Sequence, residues 1–465
     1  MKEAHHWVQG NKGLKVNSCS YGSPRVSSEL PDCSMPLTFD SYNYCSLGCT
    51  YCFAYFFKTN NPSIKNNELK SVNTKNLIAA LKGKPKTTQS KSFYKHFYKR
   101  KFLLHWGGLA DPFCNFEKKN QIGLPLLHTL GELNYPTLFS FKGDAIFEKP
   151  YMQVFEKYAN QHNFAFQVSI ITWDAELAKV TEIGVPSPQK RIEAIRELSA
   201  MGYWTILRLR PYIIGITDKH IHTLLEKALE AGINAVSMEF FAMDGRANVG
   251  MKTRYDWLAK ILHVEGGAKG LQKHFHALSP SERGGYMRLN RLVKEPYVKT
   301  VYKFCVDNGL VFACSDPDFK ELNMSGSCCG MPDKYPPNKL LENWTRNQLT
   351  YHLKEARKKY HRTGKRVKLL FGEVYNDESY FDEKKFANDH PSVVGMDYAI
   401  RSNLTLRLIL QRQWNNLRSP ANPRNYLHGQ VMPINELDVD GNLIFEYSPS
   451  EYEKYWGDEG IDLSI

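Results

Sequence analysis

Cys45, Cys49 and Cys52 stand in one eight-residue stretch, Cys45-Ser-Leu-Gly-Cys49-Thr-Tyr-Cys52. Three thiolates that close can face one small volume, and iron–sulfur clusters are held by cysteine thiolates, usually four to a cubane. A local set of only three leaves one iron open to chelate a small ligand. The competing assignment is a structural zinc site or a group of buried thiols. Zinc usually takes a fourth ligand, often from a second Cys-x-x-Cys pair, and the sequence offers no such pair. The spacing points to a [4Fe–4S] cluster on these three residues. Ten cysteines in 465 residues do not make a disulfide scaffold, and clustered thiols in a reducing compartment serve metal binding or catalysis.

The elements that must position this loop are short apolar strands alternating with helical patterns. Strands are expected at 36–43, 101–108, 136–143, 164–171, 204–212 and 235–242. The clearest helices are 187–201 and 218–231; Ser187 is an N-cap with Pro188 at the first helical position. Alternation of this kind makes βαβ units and a parallel sheet, with chemistry at the C-terminal strand ends. The cysteine loop follows the first strand and so lies at that end. The fold expected is α/β, a partial (β/α)6 TIM-like barrel. Residues 1–35 form an N-terminal extension, 36–320 the barrel with a lysine-rich insertion at 59–100, and 321–465 a C-terminal α+β region. No apolar run reaches the ~18 residues of a membrane span. The polar N-terminus lacks a secretory signal, so a cytoplasmic protein is expected.

The cysteine loop resembles the radical SAM signature, and Tyr51-Cys-Phe-Ala-Tyr55 resembles the branch of that superfamily containing spore photoproduct lyase. Further motifs follow in the branch's order: Gly108-Leu-Ala-Asp111-Pro-Phe with Glu117, Leu138-Phe-Ser-Phe-Lys142, Val168-Ser169-Ile-Ile-Thr172, Glu182 to Arg191, and Arg208 to Asp218. The resemblance covers roughly residues 36–242. It implies S-adenosylmethionine (SAM) as cosubstrate, cleaved reductively to a 5′-deoxyadenosyl radical, and an electron donor such as flavodoxin or ferredoxin. It places Tyr51 and Phe53 beside the SAM adenine, and Lys142 and Ser169 at its methionyl part or ribose. Asp111 belongs to the cofactor-binding set by its place in the strand-two motif. Arg208 and Arg210 share one face of a strand; facing inward they anchor SAM or substrate, facing outward they are structural. One departure concerns the lyase's hydrogen-donating cysteine in the strand-two motif. The stretch His105–Asp111 has no cysteine before Cys114, and Ala110 replaces the serine beside the aspartate. Repair of the thymine photoproduct is therefore not the expected reaction.

Cys114, Cys314 and Cys329 are the candidate radical-path thiols, while Cys305, Cys314, Cys328 and Cys329 are candidates for an auxiliary cluster. Incidental burial is the alternative for all of them. The formal charge is +13, from 61 basic and 48 acidic residues, which favours a polyanionic partner. Lys82–Lys101 holds eight basic residues and no acidic one, interleaved with Phe93, Tyr94, Phe97 and Tyr98. Arg346–Lys368 holds nine basic residues against Glu355, on a helix expected at 342–361 with Trp344, Tyr351 and Tyr360. Such segments suit DNA or RNA, phosphates taking the cations and bases the rings. The alternative is a solvated charged helix and a flexible insertion. From Glu436 to Asp462 nine acidic residues accompany one lysine, with a hairpin around Asp440-Gly441, and this acidic end is free to pack on the basic face. The function expected is modification or repair of a nucleic acid or nucleotide. The alternatives are a peptide-modifying radical SAM enzyme with an auxiliary cluster, and a non-catalytic cluster-bearing nucleic-acid binder.

Overall fold

The six apolar runs are buried on both faces, as strands of a helix-covered parallel sheet must be. In the computed structural model they form β1 (Leu37–Phe39), β2 (Leu104–Trp106), β3 (Thr137–Phe141), β4 (Phe164–Ser169), β5 (Trp204–Tyr212) and β6 (Ala235–Phe240). A seventh, β7 (Val311–Cys314), extends the sheet beyond β6. Neighbours β1 to β7 pair parallel in sequence order, and Arg25–Val26 pairs antiparallel with the outer edge of β1. This is a partial (β/α) barrel with one strand more than the sequence pattern suggested. The structure describes residues 16–21, 24–26, 37–54, 69–99, 101–245, 249–278, 282–283, 286–332, 349–369, 414–417, 422, 424, 427–437 and 443–463.

The crossovers are helical: α1 (Leu124–Glu132), α2 (Lys149–Tyr158), α3 (Pro188–Ala200) and α4 (Ile221–Glu230). Between β6 and β7 lie α5 (Val249–Ile261), α6 (Gly267–Leu278) and α7 (Arg291–Asp307). The start of α3 shows the local logic: the Ser187 side chain accepts the Lys190 N–H at 3.2 Å, Pro188 takes the first turn, and Ile192, Ile195 and Leu198 are buried. Between sheet and helices an aromatic layer fills the core. Phe139 and Phe166 stack at 5.2 Å, and Phe155 meets Phe166 edge-on at 5.1 Å.

The insertion is tied to the N-terminal extension, since Leu69–Val72 pairs parallel with Val16–Tyr21. The latter strand includes Cys19, while Cys33, Trp344 and residues 59–68 lie outside the described residues. Phe93, Phe97 and Tyr98 are buried in the main core, so these rings are not available to stack on bases. Lys84, Lys86, Lys91 and Lys99 remain exposed.

The C-terminal region contributes α8 (Leu349–Thr363) and a sheet of β8 (Val367–Lys368), β9 (Val431–Leu437) and β10 (Leu443–Tyr447). The expected hairpin is present in the antiparallel β9–β10 pair, its connection lying outside the described residues. A small core of Leu353, Trp414, Val431, Phe445 and Tyr447 holds this unit together. The last helix, α9 (Glu451–Asp458), docks on the barrel: Trp456 is fully buried and donates to Glu321 at 2.8 Å, and Glu459 pairs with Lys299 at 2.9 Å. Much of the charge in this region is internally matched. Arg366 pairs with Glu446 at 2.9 Å and Lys368 with Glu436 at 2.5 Å, while the buried Arg357 donates to the carbonyls of Glu321 and Asn323. No helix among the described residues is long and apolar enough to cross a membrane.

Candidate active site

The parallel strands share one C-terminal rim, where side chains from separate loops converge. The cysteine loop leaves β1 there and is fastened on several sides. Asp40, just past β1, accepts the N–H groups of Leu109 and Ala110 at 2.8 Å each, which ties it to the loop after β2. Gly48 turns the chain between the first two cysteines at φ 64°, a conformation that costs glycine little. The Cys49 backbone bridges to Glu182, Thr50 donates to the Thr181 carbonyl at 2.9 Å, and Arg254 of α5 donates to the Cys49 carbonyl.

Cys49 is buried, and Cys45 and Cys52 are half-buried. Among the described residues no three His, Cys, Asp or Glu side chains are gathered as one metal ion would require. The donor set, three thiols of one loop, is of the kind that holds a cubane, in which each cysteine binds a different iron.

Beside the loop lies a buried charge cluster that residue types alone did not identify. Glu182 is wholly enclosed; it pairs with Arg191 at 2.6 Å and Lys142 at 3.1 Å, and Tyr51 donates its hydroxyl to it. Burial pushes the Glu182 carboxyl up, but Arg191 and then Lys142 outweigh it and hold the group down at about 2. Arg191 also donates to the Ser169 carbonyl at 2.7 Å, so the cluster fixes the end of β4. The Lys142 ammonium lies 5.5 Å from the centre of the Tyr51 ring and makes no well-aligned hydrogen bond among the described residues, which leaves donors for a second anion.

Asp111 acts through the backbone: its carboxylate accepts the N–H groups of Phe113, Lys142 and Gly143. It fastens the loop after β2 to the end of β3 and so sets the position of Lys142. Burial pushes its carboxyl up to about 6, against the pull of those three donors.

Arg208 and Arg210 face the barrel interior. They share a face of β5 with Ile206, against which Gly330 packs from inside the barrel. Arg210 is held by Glu239 at 2.5 Å and approaches the Cys329 sulfur at 3.7 Å; Ser315 donates to Glu239 at 2.9 Å. The segment carrying Cys329 lies within the barrel. Gln167 donates to the Cys329 carbonyl at 2.7 Å, Ser237 to that of Cys328 at 3.2 Å, and Trp204 to that of Gly330 at 2.9 Å. Ser140 donates to Gln167 at 2.6 Å and meets His105 at 2.8 Å, which extends this polar chain across β2, β3 and β4. The sequence signal for it was a polar residue at inward positions of otherwise apolar strands.

The rim thus brings together Cys45, Cys49, Cys52, Tyr51 and Lys142, with Ser169 opposite Arg208 in the β4–β5 register. Phe53 is 46% exposed. The three candidate thiols occupy separate places. Cys114 is buried and shares a hydrogen bond with Cys45. Cys329 lies inside the barrel beside Arg210. Cys314 sits in the main apolar core, where burial pushes its thiol well up, and Cys305 shares that core.

No family model matches the chain. The uncharacterised protein Rv2578c of Mycobacterium tuberculosis and the uncharacterised protein Mb2609c of Mycobacterium bovis are each 24% identical over 206 residues, 43% of this chain. The match spans 57% of the length of either relative. Among solved structures, spore photoproduct lyase complexed with dinucleoside spore photoproduct aligns over 66% of this chain and 83% of its own, at 12% identity and TM-score 0.47. SuiB of Streptococcus suis bound to S-adenosylmethionine aligns over 61% and 51%, at 14% identity and TM-score 0.36. The three-cysteine loop leaves the first strand of the parallel sheet, and it and the strand motifs that follow resemble those of radical SAM enzymes of the spore photoproduct lyase-like branch.

Proposed function

We propose that the chain is a radical SAM enzyme acting on a nucleic acid or nucleotide. The observation that carries this is the three-thiol loop at the barrel rim, beside a half-buried lysine with donors to spare. Cys45, Cys49 and Cys52 would hold a [4Fe–4S] cluster. When bound, that group supplies one-electron reduction of a sulfonium at contact distance. The chain's own residues do the rest. Lys142 offers its ammonium to a carboxylate; Glu182 and Tyr51 keep Lys142 in place, and Arg191 holds Glu182. The Ser169 hydroxyl, buried at the end of β4, offers one donor and two acceptor sites. The segment around Cys329 fills the interior beneath the rim and keeps water from that side.

The nucleic-acid part draws on the exposed cations that no carboxylate among the described residues neutralises. These are Lys84, Lys86, Lys91 and Lys99 of the insertion, and Lys359, Arg362 and Lys365 of the C-terminal region. Anaerobically reconstituted protein, given a reductant, should cleave SAM to 5′-deoxyadenosine and hold about four irons. No cleavage, with nucleic acid still bound, sinks the enzyme reading. Replacing Lys359, Arg362 and Lys365 by glutamine should weaken DNA or RNA binding and flatten its salt dependence, each lost phosphate contact lowering the slope by about 0.7–0.9. An unchanged slope argues for a peptide substrate instead.

A further inference from the structure

The cations at the rim are accounted for, except one. Lys142 and Arg191 share Glu182, and Arg210 has Glu239. Arg208 has no hydrogen-bond or ion-pair acceptor among the described residues, and its Nε is fully enclosed. Arg210, the Cys329 thiol, Glu239 and Tyr51 lie within electrostatic reach of it. Burial and the like charge of Arg210 both act against its protonated form. An enclosed guanidinium nitrogen left without an acceptor is costly for folding, and such groups mark places where a ligand supplies the missing partner.

Two positions for anions therefore face the interior, on different strands. Lys142 directly follows β3 and lies over the Tyr51 ring of the cysteine loop. Arg208 stands on β5, two residues along one face from an arginine that Glu239 already immobilises. Two adjacent guanidiniums, one fixed and one free, suit a tetrahedral oxyanion better than a planar carboxylate, which a single fork satisfies. We propose that Arg208 receives a phosphate of the substrate inside the barrel mouth, with the Glu239-held Arg210 as its rigid flank. Lys142 is then left to the cosubstrate carboxylate, and the phosphate contact fixes the distance of the nucleotide from the cysteine loop. The choice of a nucleotide rests on the function proposed above; the anion site itself does not.

The test uses the full chain, purified anaerobically, and equilibrium binding of two probes. These are a deoxydinucleoside monophosphate and its uncharged methylphosphonate analogue. SAM binding is measured on the same preparations of wild type, Arg208→Gln and Arg208→Lys. The wild type should prefer the phosphate form at least about tenfold, the scale of one charge-assisted bidentate contact. Arg208→Gln should abolish that preference and leave SAM affinity within about twofold; Arg208→Lys, which keeps the charge and controls for folding, should retain part of it. No phosphate preference in the wild type overturns the proposal. So does a variant that loses SAM while keeping the preference, which would assign Arg208 to the cosubstrate. Arg208-dependent binding of a glutamate-rich peptide, with none of the dinucleotide, overturns it in favour of a carboxylate. If the wild type holds neither iron nor SAM yet shows the Arg208-dependent phosphate preference, the anion site stands and the radical SAM reading fails.

Discussion

Glu182→Gln probes the charge cluster that braces the cysteine loop. The carboxylate is fully enclosed and balances Arg191 at 2.6 Å and Lys142 at 3.1 Å. Removing one member of a buried pair costs about 3–5 kcal/mol, mostly because the partner charge is stranded. Glutamine keeps one oxygen for Tyr51 and Arg191, so about 3 kcal/mol is expected. That is a large share of the roughly 5–15 kcal/mol that holds a domain folded. Lys142→Met should cost much less, about 1 kcal/mol, since Glu182 retains Arg191. The two changes together should be less damaging than their sum, because the double variant strands one cation rather than two. Urea unfolding of cluster-free protein at pH 7, followed by circular dichroism, gives all three values. The sign of the acid response follows from the same carboxylate. Its folded value lies below its unfolded one, so the stabilisation is present above about pH 4.5 and fades as pH falls toward 2. A Glu182→Gln loss within about 0.5 kcal/mol of wild type, or strict additivity with Lys142→Met, would refute the account.

Three further outcomes are expected. Alanine at Cys45, Cys49 or Cys52 should each abolish iron retention after anaerobic reconstitution, whereas Cys114→Ala should keep about four irons per chain; iron lost with Cys114 would make it a fourth ligand. His352 is buried and burial holds its imidazole down at about 4, so stability should fall by roughly 3 kcal/mol between pH 6.5 and 4. His352→Leu should flatten that limb in a pH series of melting curves. Trp456→Ala should cost about 3–5 kcal/mol and loosen α9 in hydrogen exchange, because a fully enclosed indole and its bond to Glu321 are both lost.

The parallel core was legible because its strands are long apolar runs and its helices carry ordinary caps, as Ser187 and Pro188 show. The seventh strand is a short apolar run, and nothing local says that it joins β6. The pairing of Val16–Tyr21 with Leu69–Val72 is a long-range contact with no pattern to announce it. The insertion aromatics misled for a physical reason. Phe93 and Phe97 are one helical turn apart and meet at 5.3 Å, a core stripe set among solvated lysines. Counts of charge could not reveal that Arg357 is enclosed by backbone carbonyls, or that Lys368 is matched by Glu436. At the site, the cysteine spacing was explicit. The roles of Glu182, Arg191 and Gln167 were not, because each depends on which strand ends adjoin.

The chain that fills the barrel interior around Cys329 comes from beyond the last strand of the sheet. It is held there by three side chains that donate to its carbonyl groups, Gln167, Trp204 and Ser237. Contacts of that kind do not depend on which side chains the segment carries. The depth of the chamber can therefore change by substitution in a stretch that owes nothing to strand register. Enlarging or narrowing the space for a substrate leaves the cysteine loop and its braces untouched, which separates the part of the molecule that sets molecular reach from the part that sets reactivity.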